Sequence, residues 1–289
     1  MNPLRRVLSN EKLIDSRLAN LLGLQLGRVV LARAVLNSRH LIHRQRYSEY
    51  AEELLEDGYC VIENFLSDEE LAKIKEEHAR AISEAREADG VTIDSSGIGL
   101  ISQGFYERDA DLFPVTVKNL LQHRDFVEIV KEHEARFSDS SLGKWGSFKA
   151  HFERAGLPDD LGASDDKWRN SPKCNSDLHA DTFHTITKAF LYLNDTDESN
   201  GAFVFCPRSH RLSPSRLMFE YRNSVGRGET AVRVSDEQLS QMGLDKKQFR
   251  VSANTLLIAN NQGFHARGYF QEGCIRDVVY LEYRSAAFR

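Results

Sequence analysis

Residues 178–210 read LHADTFHTITKAFLYLNDTDESNGAFVFCPRSH. Within this stretch TITKAFLYLND and GAFVFCP are short runs rich in β-branched, aliphatic and aromatic residues, set apart by Asp, Ser, Asn and Gly. NTLLIANN at 254–261 and RDVVYLEYR at 276–284 repeat the pattern. Runs of this length with turn residues between them predict an antiparallel β half, and the part before it predicts mostly helix. Tyr47–Asp57 reads as a helix, and the alternation over Tyr59–Phe65 as a strand. Ser67 can cap a long helix with acids in its first turn that Gly90 can end. A further helical stretch runs from Val115 to about Phe137. Ser138–Ser176 reads as loops with a short strand around Phe148–Phe152, and Arg211–Arg250 as a polar, arginine-bearing insertion between strands.

The chain has 289 residues, 41% of them apolar and 28% charged, with 16 Phe. That composition suits one globular domain with an appendage and excludes a disordered chain. Four cysteines, Cys60, Cys174, Cys206 and Cys274, form no CxxC pair and read as reduced thiols. The charged start, MNPLRRVLSNEKLIDSR, lacks the apolar core of a secretion signal, and the longest uncharged stretch near it, Leu18–Gly27, is far too short to span a bilayer. The expected compartment is cytoplasmic.

Charge is unevenly spread. Residues 1–46 hold nine Lys or Arg and two acids, a balance of +7, before an acidic body that brings the whole chain to -5. We expect two parts: a basic helical extension, 1–46, and one domain, 47–289. In the extension Leu18, Leu21, Leu22, Val29 and Leu36 recur at helical spacing, with Gly23 and Gly27 against it. Two readings stand: a helix packed on its own domain or a second subunit, or one that meets a membrane surface or partner. Nucleic acid is not expected as a partner, because basic residues are not interleaved with aromatics and the body is acidic.

The chemistry starts at His179-Ala180-Asp181. On a strand, residues i and i+2 share a face, so an H-x-D step sets an imidazole beside a carboxylate. One more histidine makes a 2-His-1-carboxylate facial triad, which leaves open positions on an octahedral iron. With ten histidines in the chain, a lone H-x-D is unremarkable, and His151-Phe152-Glu153 has similar form. We read His151-x-Glu153 as incidental. Asn200-Gly201 marks a turn, the next strand ends in Pro207-Arg208-Ser209-His210, and His265 closes an apolar strand in NTLLIANNQGFHARG. Arg276, eleven residues later, offers a guanidinium fork suited to a dicarboxylate.

These spaced motifs resemble the phytanoyl-CoA dioxygenase family of iron(II)/2-oxoglutarate oxygenases: L-H-A-D at 178–181, L-N-D at 193–195, S-N-G at 199–201, P-R-S-H at 207–210, F-H at 264–265, and Arg276. The resemblance covers about residues 170–289 and, more loosely, GYCVIENFLSDEEL at 58–71. It implies a double-stranded β-helix, a cupin-like jelly roll that is mainly β with flanking helices. It implies His179, Asp181 and His265 as iron(II) ligands and Arg276 as the anchor for 2-oxoglutarate, with Arg267 or Arg284 in reserve. The implied reaction consumes O2 and 2-oxoglutarate and oxidises an unactivated C–H bond of a small metabolite, in biosynthetic tailoring rather than lipid breakdown. Related halogenases lack the carboxylate, so Asp181 disfavours halogenation. One departure is Arg208, where the family usually has glycine.

For substrate binding we single out Lys173, Asn175 and His184, near the ligand strand, and Arg208. The arginines at 208, 211, 216, 222, 227 and 233 read either as a solvated face or as a lid for an anionic substrate. The competing reading of the whole is a non-catalytic jelly-roll binding protein that has kept the ligands by descent.

Overall fold

The strand-forming runs pair into two antiparallel sheets in the computed structural model, which describes residues 7–10, 13, 17–43, 47–94, 97–106, 113–136, 146–162, 178–226 and 232–288. In chain order the elements are α1 Arg17–Leu21, α2 Leu24–His43, α3 Glu49–Glu56, β1 Tyr59–Ile62, α4 Asp68–Asp89, β2 Thr92–Ile93, β3 Gly99–Tyr106, α5 Val115–Gln122, α6 Arg124–His133, β4 Gly146–Gly156, β5 His179–Ala180, β6 Thr187–Tyr192, β7 Phe203–Phe205, α7 Pro214–Gly226, β8 Val232–Arg233, α8 Asp236–Met242, β9 Lys247–Gln248, β10 Thr255–Asn260, β11 His265–Arg267 and β12 Ile275–Ser285. The large sheet runs β1-β10-β6-β12-β4-β3-β2 and the small one β8-β5-β11-β7-β9. This is the jelly roll with flanking helices that the resemblance implied.

The two faces of the large sheet have opposite chemistry, and the pleat is the reason. Phe105, Phe152, Val279, Leu281, Ala189, Leu191, Leu256 and Ile258 point outward into one core with Ile74 and Ile82 of α4, Leu120 of α5 and Phe126 and Ile129 of α6. Truncating one such ring, as in Phe152→Ala, costs about 3–5 kcal/mol. The inward face is ordered in cross-strand rows. One row is Ser102, Glu153, Val278, Tyr192, Thr255; the next is Gly104, His151, Tyr280, Phe190, Leu257; the next is Tyr106, Lys149, Glu282, Lys188, Ala259. Across from the middle of this face, Phe203 and Phe205 of the small sheet join Tyr192, Leu257 and Val278.

Local sequence explains the helices and their breaks. Ser67 and Glu70 form a reciprocal capping box at the start of α4. The 115–137 stretch divides into α5 and α6 at His123, whose extended ψ of 127° breaks the helix and whose ring packs on Phe65. The head divides at Gly23, with φ of 84°, after buried Asn20 reaches the carbonyls of Leu13 and Ser224. β4 is longer than the expected 148–152, because its polar inward residues hide an alternation that is apolar on only one side. Arg208 takes φ of 65°, the left-handed conformation glycine adopts easily, so the turn keeps its shape without the glycine.

The head lies against the β domain. Val29 and Ala32 of α2 pack with Phe183 and Ala287, and the Arg28 guanidinium sits 4.3 Å from the Phe183 ring centroid. Arg33 donates to the His210 carbonyl and, at 3.0 Å, to Gln262 Oε1. Among the described residues no helix is long and apolar enough to cross a membrane. Cys60 and Cys206 are buried and Cys274 is half-buried, all three as free thiols, while Cys174 lies outside the described residues.

Candidate metal centre

His179 and His265 meet because β5 and β11 pair with these two residues directly opposite one another. Their ring centroids are 4.6 Å apart. Asp181, two residues after His179, comes to the same place: its Oδ1 lies 3.3 Å from His179 Nε2 and its Oδ2 3.5 Å from His265 Nε2. One ligand atom from each of the three residues lies within 4.8 Å of the others, the only such group of three among the described residues. The spacing suits a small divalent ion facing the barrel interior.

The surroundings prepare these groups for a metal. His265 Nδ1 is 3.0 Å from the Gly263 carbonyl, so the proton belongs on Nδ1 and the Nε2 lone pair faces the centre. Burial, first of all, pushes the His265 pKa down and keeps the ring neutral. Burial alone would raise the Asp181 carboxyl, but the two imidazoles and the Lys188 ammonium more than reverse this and hold it well below the carboxylate range. Asp181 Oδ2 accepts from Lys188 Nζ and Asn261 Nδ2, each at 2.5 Å. With Oδ2 engaged by these two donors, Oδ1 is the oxygen free for a metal. Phe203 stacks on His265 at 5.9 Å and lies 5.1 Å from Phe190, so aromatic rings line one side of the centre.

Arg276 is buried on the inward face of β12. Its Nη1 donates to the Gly201 carbonyl at 2.6 Å and its Nη2 to Glu153 Oε1 at 2.9 Å. Arg267, on β11 two residues past His265, pairs with Asp94 at 2.7 Å and lies 3.6 Å from the same Glu153 oxygen. Burial would raise the Glu153 pKa, but the two arginines overcome it and keep the group ionised. Arg276 Nε and the Tyr192 hydroxyl are buried with no hydrogen-bond partner among the described residues. Burial pushes Tyr192 up to about 12, against the pull of Arg276. The orphaned Nε of the buried Arg276 guanidinium, with the Tyr192 hydroxyl, fits a guest carboxylate. Arg284 stands eight residues further along β12, bonded to Glu282.

The other candidates are scattered. Lys173 and Asn175 lie outside the described residues. His184 is buried against Phe183, beside Arg33, Arg39 and Glu134 under α2, rather than at the triad. Arg208 is exposed and pairs with Asp57 at 2.9 Å, Arg211 reaches Glu56, and Arg216 is buried on Glu220. These three arginines are therefore committed to carboxylates of the protein. His151 points inward between Tyr106 and Tyr280. Lys188, Asn261 and Tyr192 escaped the sequence reading. Lys188 left a signal, a lone charge in the apolar run TITKAFLYL at the parity of the inward face; Asn261 and Tyr192 left none.

No protein-family model matches the chain, and no curated protein matches it. Solved structures do. One is the epimerase SnoN in complex with Fe3+, alpha ketoglutarate and nogalamycin RO: 17% identity, 82% of each chain covered, TM-score 0.55. The non-heme alpha ketoglutarate dependent carbocyclase SnoK from nogalamycin biosynthesis matches at 15% identity over 84% of this chain and 85% of that one, TM-score 0.52. EctD from S. alaskensis with bound Fe matches at 15% identity over 84% and 78%, TM-score 0.51. At such identities the likeness is one of fold. The chain has the fold of the non-haem iron/2-oxoglutarate oxygenases, with an intact H-x-D…H triad in it.

Proposed function

We propose that the protein is an iron(II)- and 2-oxoglutarate-dependent dioxygenase that oxidises an unactivated C–H bond of a small metabolite in biosynthetic tailoring. The observation that carries this reading is the convergence of His179, Asp181 and His265 within 4.8 Å inside a jelly roll. The orphaned Arg276 Nε and Tyr192 hydroxyl on the inward face of the same barrel support the co-substrate. Iron and 2-oxoglutarate together would supply the activation of O2, coupled to decarboxylation of the co-substrate.

The chain's own groups do the positioning. His179 Nε2, His265 Nε2 and Asp181 Oδ1 would hold the iron. Lys188 and Asn261 fix the plane of the Asp181 carboxylate, and Gly263 fixes the His265 tautomer. Arg276 holds the far carboxylate of the co-substrate with help from Tyr192, while Glu153 and Arg267 keep the guanidinium in place. Phe190 and Phe203 keep water from the reacting side.

Titration with iron(II) and 2-oxoglutarate, followed by succinate detection under air, tests the reading. Saturable binding of both with succinate release is expected. Binding of both without succinate would instead favour the non-catalytic binding protein.

For residues 1–46 we propose an accessory to the 47–289 domain with a contact role of its own. Leu18, Leu22 and Ile42 stand exposed beside the basic charge, which supports a membrane surface or a second copy as partner. Salt-sensitive binding to anionic vesicles would favour the membrane, and a doubled mass in solution the second copy.

A further inference from the structure

The inward face of the large sheet carries charge at two separate places. At one, Arg276 and Arg267 face Glu153 and Asp94, two cations against two carboxylates. At the other, Glu282 is flanked across the strands by Lys149 on β4 and Lys188 on β6, with Arg284 next on its own strand. Glu282 is buried and already saturated. Arg284 Nη2 reaches its Oε1 at 3.0 Å and the Tyr280 hydroxyl donates to its Oε2 at 2.6 Å. Lys188 lies 3.8 Å away and Lys149 4.0 Å, at the edge of ion-pair range. Three cations thus share one carboxylate of their own. Among the described residues the other acid paired with the cluster is Asp181, on Lys188, and its charge would belong to the metal when the triad is loaded.

The surplus is directed, not merely superficial. Lys188 is 15% exposed and touches a triad ligand, while the side chains of Lys149 and Arg284 are about 40% exposed and open the cluster to solvent. Tyr106 flanks Lys149, and the His151 and Tyr280 rings lie one row deeper. The co-substrate does not account for this cluster. Arg276 and Glu282 are six residues apart on one strand, about 20 Å at the usual rise; a five-carbon dicarboxylate running from Arg276 to the triad ends beside Lys188 and stops short of Lys149 and Arg284, which meet Glu282 rather than a triad ligand.

Resting on the dioxygenase reading, we infer that Lys149, Lys188 and Arg284 form a clamp for an anionic group of the oxidised substrate, a carboxylate or a phosphate. The clamp sits beside the triad on the side away from the co-substrate anchor. A guest anion replaces the counter-charge that Asp181 surrenders to the metal, and the carbon to be oxidised lies within a short chain of that anion. Tyr106, His151 and Tyr280 offer an aromatic wall along which the carbon frame can lie.

The test uses full-length protein with Mn(II) in the triad and 2-oxoglutarate bound, under argon. Inorganic phosphate and acetate are the probes, methylammonium is the control, and paramagnetic relaxation of probe nuclei is the readout. Saturable relaxation of phosphate or acetate, but not methylammonium, is expected. The better-retained anion identifies the group. Lys149→Met/Arg284→Met should weaken retention by about tenfold or more, the loss of charge-assisted contacts, with Mn(II) affinity unchanged. Glu282→Gln, which removes the competing carboxylate, should strengthen it. Relaxation equal in wild type and the double variant would mean the anion sits on the metal itself, and would overturn the clamp. Absent retention, or weaker retention in Glu282→Gln, would overturn it too. Failure of Mn(II) to bind would strike the metal reading instead, and equilibrium dialysis of phosphate against the same variants then judges the clamp alone.

Discussion

His179-Ala180-Asp181 and His151-Phe152-Glu153 share the same spacing, and each sits where its histidine and acid face the barrel interior. Among the described residues only the first belongs to a group of three that could hold a metal ion. The difference lies in what the neighbouring strand offers. Opposite His179 the register of β11 places His265, and Lys188 and Asn261 steady Asp181. Opposite His151 the register of β12 places Tyr280, and opposite Glu153 it places Val278. Glu153 then turns to Arg276 and Arg267, and His151 is walled in by tyrosine rings. A spaced pair of ligands becomes a site only when a third ligand is in register across the sheet.

The ligands carry the largest expected effect. His179→Ala, Asp181→Ala and His265→Ala should each abolish iron retention and turnover with the fold kept, whereas His151→Ala should leave iron content at the wild-type level. Metal analysis of purified variants reads this out, and an iron-free His151→Ala would reverse the assignment.

Glu153 carries the next effect. Glu153→Gln leaves the buried Arg276 guanidinium without its carboxylate, while Arg267 keeps Asp94, and breaking a buried pair this way costs about 3–5 kcal/mol. Added 2-oxoglutarate should restore more stability to this variant than to wild type, as seen in thermal melts. An unchanged melting temperature would show that Glu153 does not hold the arginines. Arg276→Lys keeps the charge but loses the fork, a change worth about 1.5–3 kcal/mol. The apparent affinity for 2-oxoglutarate should fall roughly tenfold to a hundredfold; no change would pass the role to Arg267 or Arg284.

The smallest effect concerns His210, a histidine near the triad in sequence and in neither pair. Burial, then Arg33, pushes its pKa from 6.5 down to about 3, and its Nε2 is held 3.1 Å from the Leu55 carbonyl. Between those two values the unfolded chain binds the proton and the folded one does not, so stability falls as pH drops from 6.5 toward 3. The slope from this group is at most about 1.4 kcal/mol per pH unit. His210→Asn should flatten that part of the stability profile in urea titrations at stepped pH; an identical slope would remove His210 from the account.

The β half and the triad were legible because strand chemistry and ligand type are local properties: TITKAFLYLND contains β6, and His265 follows the apolar run of β10, although it opens β11 of the other sheet instead of closing β10. The H-x-D pair could be seen in advance, but its superiority over His151-x-Glu153 came from spaced motifs, since register is not written in either pair. Arg276 was visible as a lone cation opening a strand, while its pairing with Glu153 was not, because 123 residues separate the partners. Lys173 and Asn175 fall outside the described residues. The arginines of 208–216 looked like a lid because carboxylates that neutralise two of them, Glu56 and Asp57, lie about 150 residues earlier.

The Arg33 contact on α2 has a thermodynamic consequence. Arg33 bonds to Gln262, and Gln262 donates to the Phe183 carbonyl, two residues past Asp181, while its neighbour Asn261 holds Asp181 itself. Through these bonds we predict that docking of the head and occupancy of the triad are coupled, and such a linkage is reciprocal. Whatever factor metal adds to the closed state of α2, a docked α2 returns to the metal. Amide hydrogens along the 20 residues of that helix should exchange more slowly once the triad is filled. Arg33→Met should abolish the slowing and loosen the metal by the same factor.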